Sequence, residues 1–301
     1  MRPLINIEIA GVNYAVKSRH KITLRGLPDP YKTFIKETIS AADIVDVNIE
    51  LGQFPTLKMK KIFDTGASWS MYVADNEYFA ALNPPSLDGR RVWLARFEKD
   101  FSSAVVYCSE LLALKTNGIT TVTNPLNYPL DQILLMYYLS RRDGGIVHSA
   151  GVEYNGHGYI FPGRSGAGKS TISRQFAERK NFVLLSDDRL AIRKFDRTYF
   201  TYGTPWPGEG DIALNRRAPL SGIFFISHGS DNTIEEIGVQ ESLERILPLV
   251  SIPWYDPSAM ADSLSFCEDL ISHTPAYRLS FRPDSGVVDA FERFISDNAS
   301  E

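Results

Sequence analysis

Cysteine is scarce: Cys108 and Cys267 are the only two in 301 residues, and they stand far apart. That excludes a disulfide framework and a thiolate zinc site, and it points to a reducing, cytoplasmic setting. No uninterrupted apolar run approaches the roughly 20 residues of a membrane span. The first residues, Met1 to Asn6, lack the apolar stretch of a secretory leader. Neither sign of charge dominates, with 32 Lys and Arg against 36 Asp and Glu and a formal charge of −4. That balance argues against the broad basic face with which proteins hold nucleic acid. Repeats and low-complexity tracts are absent as well. What is present, 44% hydrophobic and 23% charged residues, is the composition of a folded α/β or α+β protein of one large or two smaller domains.

The first 125 residues read as β-rich. Ile5 to Ala10 alternates, Gly11 turns the chain, and Val12 to Val16 alternates again. Ile44 to Leu51 sets Val45, Val47, Ile49 and Leu51 against Asp46, Asn48 and Glu50. A period of two predicts half-buried strands with one wet face. Trp69–Val73, Arg91–Phe97 and Ala104–Cys108 are further strand candidates, and Asp88-Gly89 and Asn117-Gly118 are turn signals. Asn124 to Pro129 breaks the pattern. A buried helix is expected over Leu130–Arg141, with Pro129 at its first position and Asp131 at the positive end of its dipole. The expected division is 1–125, a β-rich N-terminal domain, and 126–301, a second domain.

In the second part, Val152 to Tyr154, Asn155-Gly156 and His157 to Phe161 predict a tight hairpin. Gly163-Arg164-Ser165-Gly166-Ala167-Gly168-Lys169-Ser170 follows and matches G-x-x-x-x-G-K-[ST]. It lies between an apolar strand and a helix expected over Lys169–Arg179, the context this phosphate-binding loop requires. Glycines let backbone N–H groups turn inward around phosphate oxygens, and the helix N-terminus adds partial positive charge. Lys169 is placed to reach the β- and γ-phosphates, Ser170 to ligate Mg²⁺, and Thr171 to complete the nucleotide-binding turn. The loop names a ligand and leaves kinase, hydrolase and switch open.

A strand over Phe182–Leu185 ends in Ser186-Asp187-Asp188-Arg189, two carboxylates where such proteins deliver one to a metal or a nucleophile. His148 precedes the hairpin, which folds it back beside the phosphate loop; a lone structural histidine is the alternative. His157, at the turn, is expected to be exposed. Gly203 to Gly210 is a rigid Gly/Pro-rich loop carrying Trp206 and Glu209. Glu209 is a candidate second metal ligand, and Trp206 a plug for the loop. Asn215-Arg216-Arg217 is either a source of cations for a transferring phosphoryl group or a solvated basic turn. A strand over Gly222–Ser227, a helix over Ser242–Leu249, a strand over Pro275–Phe281 and a helix over Gly286–Ile295 complete the reading.

The order His148, phosphate loop, Asp187-Asp188-Arg189, with an antiparallel strand feeding the loop, resembles the HPr kinase/phosphorylase group. That group is related in fold to the ATP-type phosphoenolpyruvate carboxykinases, and the resemblance covers residues 145–230. It implies a P-loop domain with a mixed sheet in an α/β chain. Within that domain it implies ATP held by Gly163–Thr171, Asp187 as general base toward an acceptor hydroxyl, and His148 at the active site. Mg²⁺ would sit near Ser170, Asp188 and Glu209. The flanking Pro-Trp-Pro-Gly-Glu departs from the family's version, and the family's later glycine-rich motif is missing, so the acceptor is open. The expectation is an ATP- and Mg²⁺-dependent kinase acting on a hydroxyl, first of all Ser or Thr of a protein or peptide. A small-molecule kinase and a nucleotide-gated binding module are the alternatives. Oligomeric state is left open.

Overall fold

The alternation in the N-terminal part builds strands where it predicts them. In the computed structural model residues 5–24, 27–38, 43–75 and 77–298 are described. The strands are β1 (Ile5–Ile9), β2 (Val12–Ser18), β3 (Lys21–Thr23), β4 (Ile35–Lys36), β5 (Ile44–Leu51) and β6 (Lys60–Asp64). They continue with β7 (Trp69–Ala74), β8 (Glu77–Leu82), β9 (Trp93–Phe97), β10 (Ser103–Cys108), β11 (Ala113–Thr116) and β12 (Ile119–Thr123). Nine of them form one mixed sheet in the order β4-β1-β2-β5-β10-β9-β8-β7-β6, and β11-β12-β3 form a smaller one. In β5 the inward Val45, Val47 and Ile49 are buried while Asn48 and Glu50 are exposed, as a period of two requires. β2, β5 and β10 are parallel neighbours, a pairing that local patterns do not encode.

Helix α1 (Leu130–Ser140) follows, with Leu130, Leu134, Leu135 and Tyr137 fully buried. The chain divides into two compact units, Met1–Tyr138 with Pro253–Pro257, and Leu139–Ile252 with Ser258–Glu301. The division falls inside α1, a little beyond the 125/126 position expected from the break in the strand pattern. Its first turns are tied to the N-terminal unit: the Tyr31 hydroxyl donates to Asp131 (2.5 Å), and Tyr137 stacks on Phe101 at 4.4 Å.

In the second unit are β13 (Gly144–Tyr154), β14 (His157–Pro162), α2 (Lys169–Ala177), β15 (Phe182–Ser186), β16 (Arg189–Phe195) and β17 (Thr198–Gly203). After them come β18 (Arg217–His228), β19 (Thr233–Glu236), α3 (Val239–Ile246), α4 (Pro257–His273), β20 (Ala276–Phe281) and α5 (Gly286–Asn298). The eight strands form one sheet, in which two long strands each change partners along their length. Gly144–His148 of β13 pair with β16, and Ser149–Tyr154 pair with β14. β18 pairs first with β17, then with β14 and β20. β14 therefore lies between β13, antiparallel, and β18, parallel. A Cβ at Gly151 on β13 would lie 2.4 Å from Leu190 Cδ1, so any larger residue there would displace the Leu190 side chain.

One face of this sheet packs on α3 and α4 through residues such as Val147, Ile160, Leu185, Phe225, Ile246 and Phe266. The other packs on α2 and α5 through an aromatic cluster, in which Phe291 meets Phe176 edge-on at 5.4 Å and Phe161 meets Phe176 at 5.0 Å. Fully burying each such ring stabilises the fold by ~1.5–3 kcal/mol. The helix expected over Ser242–Leu249 starts earlier, at Val239, and its end tightens into a 3₁₀ turn at Leu247–Leu249, where Pro248 supplies no N–H. α4, β16, β17 and β19 had no counterpart in the sequence pattern. The chain is an α/β protein with mixed sheets. Among the described residues no helix is long and apolar enough to cross a membrane.

Candidate functional site

The Asn155-Gly156 turn forms with both residues at positive φ, 51° and 82°. It returns β14 beside β13, and the Gly163 N–H donates to the His148 carbonyl at 3.4 Å. The loop that follows reverses direction at Gly166 (φ 82°) and Gly168 (φ 101°), conformations costly for any residue with a Cβ. At Gly168 a Cβ would also lie 2.7 Å from the Phe281 ring. Gly168 opens α2, and no side chain caps that helix end. Lys169 is 7% exposed. Its Nζ donates to the carbonyls of Gly163 (3.0 Å) and Arg164 (3.4 Å). Burial holds its pKa below the ordinary lysine range, with Arg189 adding to the effect and Asp188 and Asp187 opposing it. A buried ammonium facing carbonyls, beside open helix amides, is arranged for an anion. Arg164, Ser165 and Gly166 are exposed, and Ala167, Ser170 and Thr171 are half-buried around it.

β15 ends in a turn that separates the two acids. The Ser186 hydroxyl accepts from the N–H groups of Asp188 and Arg189, both at 3.3 Å. Asp188 stays with His148 and Arg189. His148 Nε2 lies 2.8 Å from Asp188 Oδ1, and the Arg189 guanidinium donates to Oδ2 at 2.9 Å. Burial alone would raise the Asp188 pKa, but His148, Arg189 and Lys169 together hold it below the usual carboxylate range. A carboxylate only accepts, so Nε2 carries the hydrogen, and in the neutral ring Nδ1 keeps its lone pair. The side chains of His148 and Asp188 are 30% and 20% exposed.

Asp187, expected as the base, is near enough to Lys169 to oppose the lowering of its pKa, and its own oxygens face a neighbouring turn. It is 1% exposed. Its Oδ1 accepts the Gly208 N–H at 2.8 Å and its Oδ2 the Gly210 N–H at 2.6 Å. Glu209, between those glycines, is exposed. Trp206 is buried, as a plug would be. The expected cations go elsewhere: Arg216 makes a two-pronged pair with Glu153, at the far end of β13 from His148, and Arg217 lies 4.9 Å from the Phe200 ring. His157 is exposed and bonds Ser221 Oγ at 2.9 Å.

Two neighbours of the loop escaped the sequence reading. His228, at the end of β18, lies with Nε2 3.1 Å from the Gly166 carbonyl; only its place after an apolar strand hinted at it. Arg189 stood in the acid motif without an assigned role. A cleft of ≈ 320 Å³ opens against Gly163 and Arg164, walled by Phe225, Ile226, Arg245 and Leu249.

No group of three His, Cys, Asp or Glu side chains gathers as a metal site among the described residues. Of the expected oxygen donors, the Ser170 hydroxyl stands on the first turn of α2 and the Glu209 carboxylate is exposed on the Gly208–Gly210 turn. That donor chemistry suits Mg²⁺ where phosphate oxygens and water complete an octahedral shell. The sequence matches no protein-family model and no curated protein.

Proposed function

We propose that the second unit is an ATP- and Mg²⁺-dependent kinase that transfers the γ-phosphoryl group to a hydroxyl, serine or threonine of a protein or peptide. The observation that carries this reading is the bond from Gly163 to His148, which sets the phosphate loop beside the His148–Asp188–Arg189 cluster. The loop amides and the Lys169 ammonium bind the phosphates. Bound Mg²⁺ supplies charge neutralisation on the transferring group, with Ser170 and Glu209 as its protein ligands. Asp188, whose oxygens are already engaged by His148 and Arg189, acts from one step further out. Nδ1 of His148 takes the hydroxyl proton, and Asp188 stabilises the imidazolium that results. This moves the base from Asp187 to His148.

The ≈ 320 Å³ cleft beside Arg164 supports a second reading, a compact small-molecule acceptor. The experiment supplies γ-labelled ATP and Mg²⁺ with polypeptide and small-molecule fractions as separate acceptors. Label in the polypeptide fraction supports the first reading, and label in the other fraction the second. Tight ATP binding without transfer to either would leave a nucleotide-gated binding module.

A further inference from the structure

The sequence Gly208-Glu209-Gly210 is shaped around one buried carboxylate. Both glycine N–H groups converge on Asp187, one on each oxygen. A Cβ at Gly208 would come within 3.1 Å of Asp187 Oδ2, and a Cβ at Gly210 within 2.7 Å. A side chain at Gly210 would force the Asp187 carboxylate to shift, and one at Gly208 would crowd it, whereas the residue between them is free to carry one. The same Gly208 Cβ position lies 3.1 Å from Asp188 Cβ, so the turn borders the His148–Asp188 pair. The segment beyond is pinned to the same strand end: Ser186 bridges to Ala213, and the Leu214 N–H donates to the Leu185 carbonyl at 3.0 Å. The carboxylate accepts an N–H on each oxygen and is 1% exposed, so in this structure it is closed to an acceptor from solvent.

We propose that Asp187 is a positioning residue: its carboxylate clamps the Gly208-Glu209-Gly210 turn and so fixes Glu209 as a carboxylate ligand for the divalent cation. This rests on the kinase reading for the identity of the cation's nucleotide, but not for the clamp itself. Removing a partner that orients a metal ligand costs about 10–100-fold in metal affinity. Asp187→Asn replaces one accepting oxygen with an NH₂ group that faces an N–H. Gly210→Ala pushes a methyl group against the same carboxylate and leaves Asp187 in place.

The test is Mn²⁺ affinity, by titration calorimetry of nucleotide-loaded protein, together with amide exchange at Gly208 and Gly210. Wild type, Asp187→Asn, Gly210→Ala, Glu209→Gln and the Asp187→Asn/Glu209→Gln double variant are compared at matched thermal midpoints. The expected result is Mn²⁺ affinity weakened about 10–100-fold in every variant. The double variant is no weaker than Glu209→Gln alone, because the two side chains act through one contact. Exchange is faster at Gly208 and Gly210 in Asp187→Asn, and faster at Gly208 in Gly210→Ala. Unchanged Mn²⁺ affinity in Asp187→Asn, or additive losses in the double variant, would overturn the proposal. Absence of phosphoryl transfer in wild type would instead remove the kinase reading, and the Mn²⁺ and exchange results would still decide the clamp.

Discussion

His148 Nε2 and Asp188 Oδ1 lie 2.8 Å apart across 40 residues of sequence. The pair exists because His148 and Arg189 are register partners on β13 and β16, which puts the residue before Arg189 within reach of the imidazole. A histidine oriented through one nitrogen by a carboxylate presents the other as a base. His148→Gln is therefore expected to fold and bind nucleotide like wild type while transferring phosphate about 10²–10⁴-fold more slowly. Nucleotide titration and single-turnover transfer measure the two halves of that statement separately.

Gly168 combines φ 101° with a Phe281 ring 2.7 Å from where a Cβ would stand. Placing an L residue in left-handed backbone costs about 1–2 kcal/mol, or roughly 5–30-fold in an equilibrium. Gly168→Ala should weaken nucleotide binding by at least that factor. An affinity equal to wild type would show that the loop's shape is not what binds.

The lowered pKa of Asp188 links it to acid stability. A carboxylate whose folded pKa is depressed stabilises the fold in its charged form. That contribution is complete above about pH 4, the unfolded carboxylate range, and is lost as pH falls through the lower folded value. Urea unfolding across pH 2–6 should show a shallower acid limb for Asp188→Asn than for wild type, and parallel limbs would count against the pairing with His148 and Arg189.

Phe291 is fully buried and packs edge-on against Phe176, Tyr159 and Phe224. Phe291→Ala should destabilise the second unit by ~3–5 kcal/mol, seen as a lower denaturation midpoint.

Burial pushes the thiols of Cys108 and Cys267 up to about 12. Both are buried and unpaired. Neither should react with a thiol reagent at neutral pH until the chain unfolds, and fast labelling of the native protein would contradict their burial.

What the sequence revealed follows from the range of the interactions. The shape of the Gly163–Ser170 loop and the Asn155-Gly156 hairpin are local: a few consecutive residues need positive φ, and glycine and asparagine supply them. The His148–Asp188 bond depends on which strands pair, and β16 was not recognised because Arg189–Phe195 interleaves charged and apolar residues at an interior position. The surroundings of Asp187 depend on a turn more than twenty residues downstream, so the acid motif alone could suggest two different roles for its carboxylates but not the partners of either. α4 carries serine and alanine among its apolar residues and turns a serine hydroxyl onto its own backbone, Ser263 onto the Ala259 carbonyl at 2.7 Å, which blurs its helical period.

The most direct test of the kinase reading is transfer of label from γ-labelled ATP with Mg²⁺, wild type beside Asp188→Asn, into fractionated polypeptide and small-molecule acceptors. Label carried by wild type into one fraction and lost about 10²–10⁴-fold in the variant is the result expected of a His148–Asp188 kinase. A variant as fast as wild type, or a wild type that binds ATP and transfers nothing, would contradict it.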